Sequence, residues 1–291
     1  MHNYLRSVGF RYLKNIHEVK KLIADIIKHP DEKMIVEDEN GNVFADLRKE
    51  FGAGIGISVC GMYLNDNEFE MDYYYPYFIG TGISTEEKVE VEKRYDRESY
   101  AGICDEMRVG VTLVFYLQNA IEYLKERSSR NGRQPIHATV SALALKGKVV
   151  LPIYKNESQI KSGEKYAKNR NHLMAAARDG DEEAMESLTL EDIDTYTMIS
   201  RRILTEDTLS IVDTYFMPYG IESDQYSVMG EILDYYTIVN EQTKEHSYVL
   251  TITSNRLTFD VCVNKEDLLG EPAPGRRFKG IIWMQGKINF N

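Results

Sequence analysis

Between Ser210 and Asn240 the chain changes from helical to strand periodicity, and the rest of the sequence divides around that change. Ser210 to Met217 alternates, with Val212, Thr214 and Phe216 on one side and Ile211, Asp213, Tyr215 and Met217 on the other. β-Branched and aromatic residues dominate, so the stretch predicts a strand. Pro218-Tyr219-Gly220 ends it, because proline donates no ladder hydrogen bond and glycine tolerates positive φ. A second strand pattern begins near Tyr226 and runs through Val228, Ile232 and Tyr236, with a bulge expected at Gly230.

Downstream, His246–Thr253 and Leu257–Asn264 flank an Asn255-Arg256 turn, with Phe259, Val261 and Val263 facing one way. Lys265–Leu269 reads as one helical turn, and Pro272 and Pro274 mark a loop. Phe278–Phe290 reads as a strand with Gly280 and Gly286 where a barrel strand could bend. This order is that of a small curved antiparallel unit of the oligonucleotide/oligosaccharide-binding (OB) type. A plain antiparallel sheet packed on helices has the same rhythm.

Upstream, Ile16–Ile27 carries a helical apolar stripe, with Asn15 as N-cap and Glu18 completing a capping box. Asn40-Gly41 predicts a hairpin turn. The glycines between Phe51 and Gly61 precede a strand-like run rather than open a helix, so they predict a loop or a tightly packed strand entry, not a phosphate site. A hairpin around Asn65-Asp66-Asn67 leads into an aromatic stripe of Phe69, Met71, Tyr73 and Tyr75. Lys88–Tyr95 reads as an edge strand. Glu106–Arg127 is the expected central buried helix, on Val109, Leu113, Leu117, Ala120, Ile121 and Leu124. Ile136–Leu145 and Val149–Ile153 predict a hairpin turning at Lys146-Gly147-Lys148. Short helices follow: Ile160–Arg178, Glu182–Ser187 capped by Asp181, and a third starting at Thr189 with Ile193, Tyr196, Ile199 and Ile203 inside. The fold class is therefore α+β, with a mixed or antiparallel sheet and helices in residues 1–157, short acidic helices in 158–205, and an antiparallel β unit in 206–291.

Several stretches carry a resemblance. AAARDGDEEAMESLTLEDIDTYTMISRRI, the strand stretch after it, the opening MHNYLRSVGF and the closing LLGEPAPGRRFKGIIWMQG resemble an uncharacterised bacterial family, domain of unknown function 3881, of gram-positive anaerobes. The resemblance covers essentially the whole chain. It implies an intracellular bacterial protein and supplies no catalytic or binding residues.

The net charge of −11 disfavours nucleic acid and anionic membrane as partners. The excess is local: Arg178–Glu245 holds 17 acids and 4 bases. Three scattered cysteines, Cys60, Cys104 and Cys262, signal neither a disulfide framework nor a zinc site, and a reducing cytoplasm is the expected setting. No apolar run approaches the roughly 20 residues that span a bilayer.

The expected function is non-catalytic: a binding or regulatory protein, its partner another protein or a small anion, with homo-oligomerisation through the aromatic stripe as a further reading. Arg276, Arg277, Phe278, Lys279 and Trp283 interleave bases with aromatics, the composition of a phosphate-tracking, base-stacking surface. The low basic density favours a simpler use, docking on the acidic helices of the same chain or of a partner subunit. The alternative is an enzyme whose carboxylates come from Asp192, Asp194, Asp213 and Asp224, with Arg202 as anion clamp. Glu191, Asp192 and Asp194 have a plainer explanation as acids in a first helical turn after Thr189. No metal-ligand or cofactor motif stands out.

Overall fold

The computed structural model describes residues 2–13, 15–38, 40–65, 68–95, 98–129, 132–153 and 157–290. A 3₁₀ turn, Asn3–Val8, precedes helix α1 (Ile16–Lys28). Strands β1 (Glu32–Glu37), β2 (Val43–Gly52), β3 (Ile55–Asn65) and β4 (Glu68–Phe78) form an antiparallel sheet in chain order. Then come β5 (Glu90–Lys93), β6 (Tyr100–Glu106), β7 (Val111–Leu117), α2 (Ala120–Ser128) and the long β8 (Pro135–Val150). Helices α3 (Glu157–Arg178) and α4 (Glu182–Ile203) make a hairpin, followed by the short α5 (Thr208–Ile211). The chain closes with β9 (Tyr215–Pro218), β10 (Gln225–Val239), β11 (His246–Ser254), β12 (Leu257–Asn264), β13 (Leu268–Leu269) and β14 (Arg277–Phe290).

The second sheet is mixed. Within it β8, β12, β11, β10 and β14 pair in a closed ring, parallel between β12 and β8 and antiparallel elsewhere. The ring thus takes one strand from before the helical hairpin and the others from after it. β14 is its hub: residues 277–283 lie between β10 and β8, and β7 joins in parallel at Gln285 and Gly286. β6 and β5 extend outward from β7.

Strand alternation sorts side chains into two cores. Ala142, Ala144, Leu250, Val261, Val263, Ile282 and Met284 join the core that includes Phe278 and Phe259. Their neighbours Leu143, Val249, Cys262 and Trp283 point the other way, into a core shared with α1, the 3₁₀ turn and β2–β4. Strands buried on both faces carry unbroken apolar runs, as Ala142–Leu145 of β8 and Val261–Val263 of β12 do. Each fully buried aliphatic or aromatic side chain here contributes about 1.5–3 kcal/mol.

Helix α1 forms as its cap predicts: the Asn15 side chain accepts the Glu18 N–H at 2.9 Å. The Asn40-Gly41 hairpin forms, with Gly41 at φ +82°. The glycines after Phe51 sit in and between β2 and β3; Gly54 takes φ +74° in the turn, and a Cβ on Gly56 would meet the Lys49 carbonyl at 2.4 Å. Asp66 and Asn67 of the next predicted turn lie outside the described residues.

Several expectations are corrected. Glu106–Arg127 is not one helix: Glu106 ends β6, residues 107–110 turn, Val111–Leu117 is strand and only Ala120–Ser128 is helical. The i, i+4 stripe there was coincidental, and the β-branched and aromatic run VTLVFYL prevailed. There is no turn at Gly147, because β8 runs straight through it; a Cβ there would lie 2.3 Å from the Phe278 ring. The middle is two 22-residue helices rather than short ones. Asp181 does cap α4, but Thr189 lies inside that helix and its hydroxyl donates to the Met185 carbonyl at 2.8 Å. Ile193, expected inside, is 55% exposed, and the side chains of Tyr196, Ile199 and Ile203 lie outside the described residues. Finally, the strand expected from Ser210 begins only at Tyr215. Asp207 accepts the Leu209 N–H at 2.8 Å and starts α5 instead. The β10 bulge falls between Ile232 and Asp234, not at Gly230.

Candidate functional site

A cavity of about 280 Å³ opens between β2–β4 and the β6, β7 and α2 side of the mixed sheet. Tyr73 and Tyr75 of β4 and Tyr116 of β7 wall it, with Ala120, Ile121 and Leu124 of α2 opposite. The two strands present these rings because Tyr75 and Tyr116 fall on the face turned to the second core. Their centroids are 4.5 Å apart, and both rings touch Trp283, at 6.5 and 5.4 Å.

Below the rings lies a buried ion pair. Asp46 and Arg48 are neighbours on one face of β2, both 5% exposed. Asp46 accepts Arg48 Nε at 3.0 Å and Nη2 at 2.8 Å on one oxygen, and Ser58 Oγ at 2.5 Å on the other. The guanidinium also donates to the Gln118 carbonyl and to Tyr75 Oη. Gln118 in turn donates to the Phe78 carbonyl and to Gln285, which donates to the Pro76 carbonyl. The pair is thus held by β2, β3, β4 and the end of β7 together. A buried pair of this kind adds little net stability but becomes costly when one member is removed.

The chemically reactive groups are quiet. Burial pushes the Cys60 thiol well above its usual range, with Asp46 adding to the effect. Burial likewise raises the Tyr73, Tyr75 and Tyr116 hydroxyls. Tyr100, at the mouth, is raised to about 12 by burial and by Glu98, to whose carboxylate it donates at 3.1 Å. The wall therefore offers aromatic faces, a neutral thiol and acceptor carboxylates at the rim, Glu70 and Asp72 among them.

The basic and aromatic group expected at the C-terminal strand does not gather on one surface. Phe278 is fully buried in one core, and Trp283, 6% exposed, lies in the other, its Nε1–H donated to Asp224 at 2.9 Å. Arg277 is 3% exposed and donates to the Leu151, Leu209 and Val212 carbonyls, so it ties both stems of the helical hairpin to β14. Arg276 is half-buried and donates to the Glu271 carbonyl; Lys279 is half-buried.

The carboxylates of the alternative site are dispersed too. Asp192 lies in the middle of α4 rather than in a first turn, and pairs with Arg170 across the hairpin at 2.7 Å. Arg202 pairs with Glu206. Asp194 is exposed, Asp213 half-buried, and Asp224 is 2% exposed and bound by Arg94 as well as Trp283. Among the described residues no three His, Cys, Asp or Glu side chains stand close enough to hold a metal ion. No described helix is long and apolar enough to cross a membrane.

A family model for a domain of unknown function, described from an E. rectale gene, matches residues 5–286. The chain belongs to this family, DUF3881. No curated protein and no solved structure matches it. The match therefore covers both cores, the helical hairpin and the cavity. Sequence reasoning had singled out Tyr73 and Tyr75 but missed Asp46, Arg48 and Tyr116. The usable signal was Asp46-Leu47-Arg48: opposite charges two apart in a strand share a face, and here that face is the buried one.

Proposed function

We propose that this DUF3881 chain is a non-catalytic binding or regulatory protein whose ligand is a small, largely apolar molecule seated against Tyr75 and Tyr116. The observation that carries this reading is the cavity itself: about 280 Å³, walled by aromatic rings over a floor of polar groups already hydrogen-bonded to one another. That size is near the lower end, about 300 Å³, of small-molecule pockets. The protonated state of the thiol and phenols favours binding over nucleophilic chemistry. The half-buried Cys60 and buried Cys104 and Cys262, all free thiols, suit a reducing cytoplasm.

We also read the closed ring as an OB-type barrel. The β10-β11-β12 meander followed by β14 supports this, with β8 in the place of the strand that completes the barrel.

The test is a thermal-shift screen of small aromatic and aliphatic compounds, followed by Trp283 emission, since Trp283 touches both wall tyrosines. Ala120→Phe should fill the cavity and abolish binding while leaving the fold intact. Hits that bind Ala120→Phe equally well, or a screen without hits, would remove the cavity from consideration. Conversion of a bound compound to product would favour the enzyme reading instead.

A further inference from the structure

On the other side of Trp283 lies a second cavity, of about 500 Å³, between the N-terminal segment, β8 and the approach to β10. Its walls carry Arg6, Arg11 and Lys146, and no described carboxylate lines it. In a chain of net charge −11 this is an inverted local balance.

Part of that charge is structural. Arg6 makes a bidentate contact to Asp267, and Arg11 Nε lies 3.6 Å from the same carboxylate. Asp267 therefore answers two guanidiniums, and the Glu245 carboxylate lies beside them, accepting the Arg11 backbone N–H at 3.3 Å. Lys146 is exposed on β8 and makes no ion pair among the described residues. Asp224, which acts on Tyr4 of the wall, is already bound by Trp283 and Arg94. Lys146 thus brings to the cavity a positive charge with no ion-pair partner among the described residues, beside an Arg11 guanidinium whose contact to Asp267 is as long as 3.6 Å.

The aromatic side of the cavity is equally defined. Tyr4 and His2 line it and stack on Trp283, at 5.4 and 4.8 Å, while Tyr219 leaves its ring 45% exposed at the edge.

We propose that this cavity binds a small organic anion, its charge held by Arg11 and Lys146 and its ring laid against Tyr219. A guanidinium and an ammonium on the walls of one cavity favour a phosphate monoester or a carboxylate, and disfavour cations. The site is separate from the tyrosine-walled cavity and does not depend on that cavity's occupant.

The experiment is isothermal titration of the full chain at low salt with phenyl phosphate, benzoate and benzylamine, with Trp283 emission followed in parallel. Phenyl phosphate or benzoate should bind saturably, the stronger of the two identifying the head group, and benzylamine should not. Arg11→Gln and Lys146→Ala should each weaken binding about tenfold or more, the loss expected for one charged hydrogen bond. Lys88→Ala, an exposed lysine outside the cavity, and Ala120→Phe should leave binding unchanged. Thermal unfolding of every variant shows whether it is folded; Arg6 is spared because its contact to Asp267 is structural. Affinity indifferent to both substitutions, benzylamine binding as tightly as the anions, or neither anion binding at millimolar concentration would overturn the proposal.

Discussion

Arg277→Met should detach the helical hairpin from the ring of strands. The Arg277 guanidinium reaches the Leu151 carbonyl from Nε at 3.0 Å and Nη2 at 2.6 Å, the Leu209 carbonyl at 2.8 Å and the Val212 carbonyl at 2.8 Å. Leu151 lies before α3, and Leu209 and Val212 lie after α4, so one side chain of β14 holds both stems. Methionine keeps much of the aliphatic volume and removes every donor. Hydrogen bonds to a charged group are each worth about 1.5–3 kcal/mol. The Leu151 side chain is 71% exposed, so water can reach that linker and take up part of the loss. We therefore expect about 3 kcal/mol of destabilisation, roughly two powers of ten in the folding constant. Arg277→Lys, which can reach only some of these carbonyls, should lose about half as much. Urea unfolding gives the totals, and hydrogen exchange at residues 150–153 and 205–213 gives the location. A loss below about 1 kcal/mol with unchanged exchange at both linkers would refute the reasoning, because it would mean the carbonyls are equally well served by solvent.

Trp283 should emit at short wavelength and resist aqueous quenchers. Trp283→Phe, which leaves the buried Asp224 without the indole donor, should cost about 2 kcal/mol in chemical denaturation. Gly147→Ala should cost about 1–3 kcal/mol by overpacking, since its Cβ would lie 2.3 Å from the Phe278 ring; an unchanged urea midpoint would show that the ring moves aside freely. Asp192→Asn should change stability by less than about 0.5 kcal/mol, as for other exposed pairs, and magnesium or manganese should leave the melting temperature of either form unaltered. Burial raises the Cys104 and Cys262 thiols from 9.0 to about 12. A raised folded-state value means the contribution is intact below pH 9 and is lost as pH climbs toward the folded value. Each thiol should therefore cost about 2 kcal/mol by pH 10.5. Unfolding midpoints at pH 8 and 10.5 test this, and Cys262→Ala should flatten the slope.

Local signals in the sequence survived where the backbone itself decides the structure. Asn15 capped its helix, Gly41 made its turn, and Asn255 and Arg256, at φ +47° and +69°, made the hairpin between β11 and β12. The strand pattern from Leu257 was right, but only half its burial was legible: Val261 and Val263 face one core, and Cys262 faces another that no local pattern announces. The candidate site was less legible still. Tyr73 and Tyr75 stood out as a stripe, whereas Tyr116, the ring that completes the wall, sat in a run read as helix. The bases near Trp283 suggested a ligand surface because composition cannot tell an arginine facing solvent from one, like Arg277, spent on carbonyls of distant linkers.

The glycines of the long strands show what tertiary packing adds. Gly280 and Gly286 were read as bends. In the fold, Gly147 and Gly280 are register partners across β8 and β14, and a Cβ on either would meet the Phe278 ring, at 2.3 and 2.7 Å. Gly102 and Gly286 stand in the same relation to Phe115, at 2.2 and 2.7 Å. Each of these two fully buried rings lies over two glycines, on the paired strands β8 and β14 for Phe278 and on the two strands flanking β7 for Phe115, where the missing side chains leave room for it. Both phenylalanines belong to the same core, and Gly280 and Gly286 belong to the hub of the ring. The hub therefore carries small residues toward that core, and Trp283 on its other face, between the two cavities. A glycine in a strand that aligns with an aromatic residue two positions away, or with one on the next strand, is better read as a seat for that ring than as a point of bending.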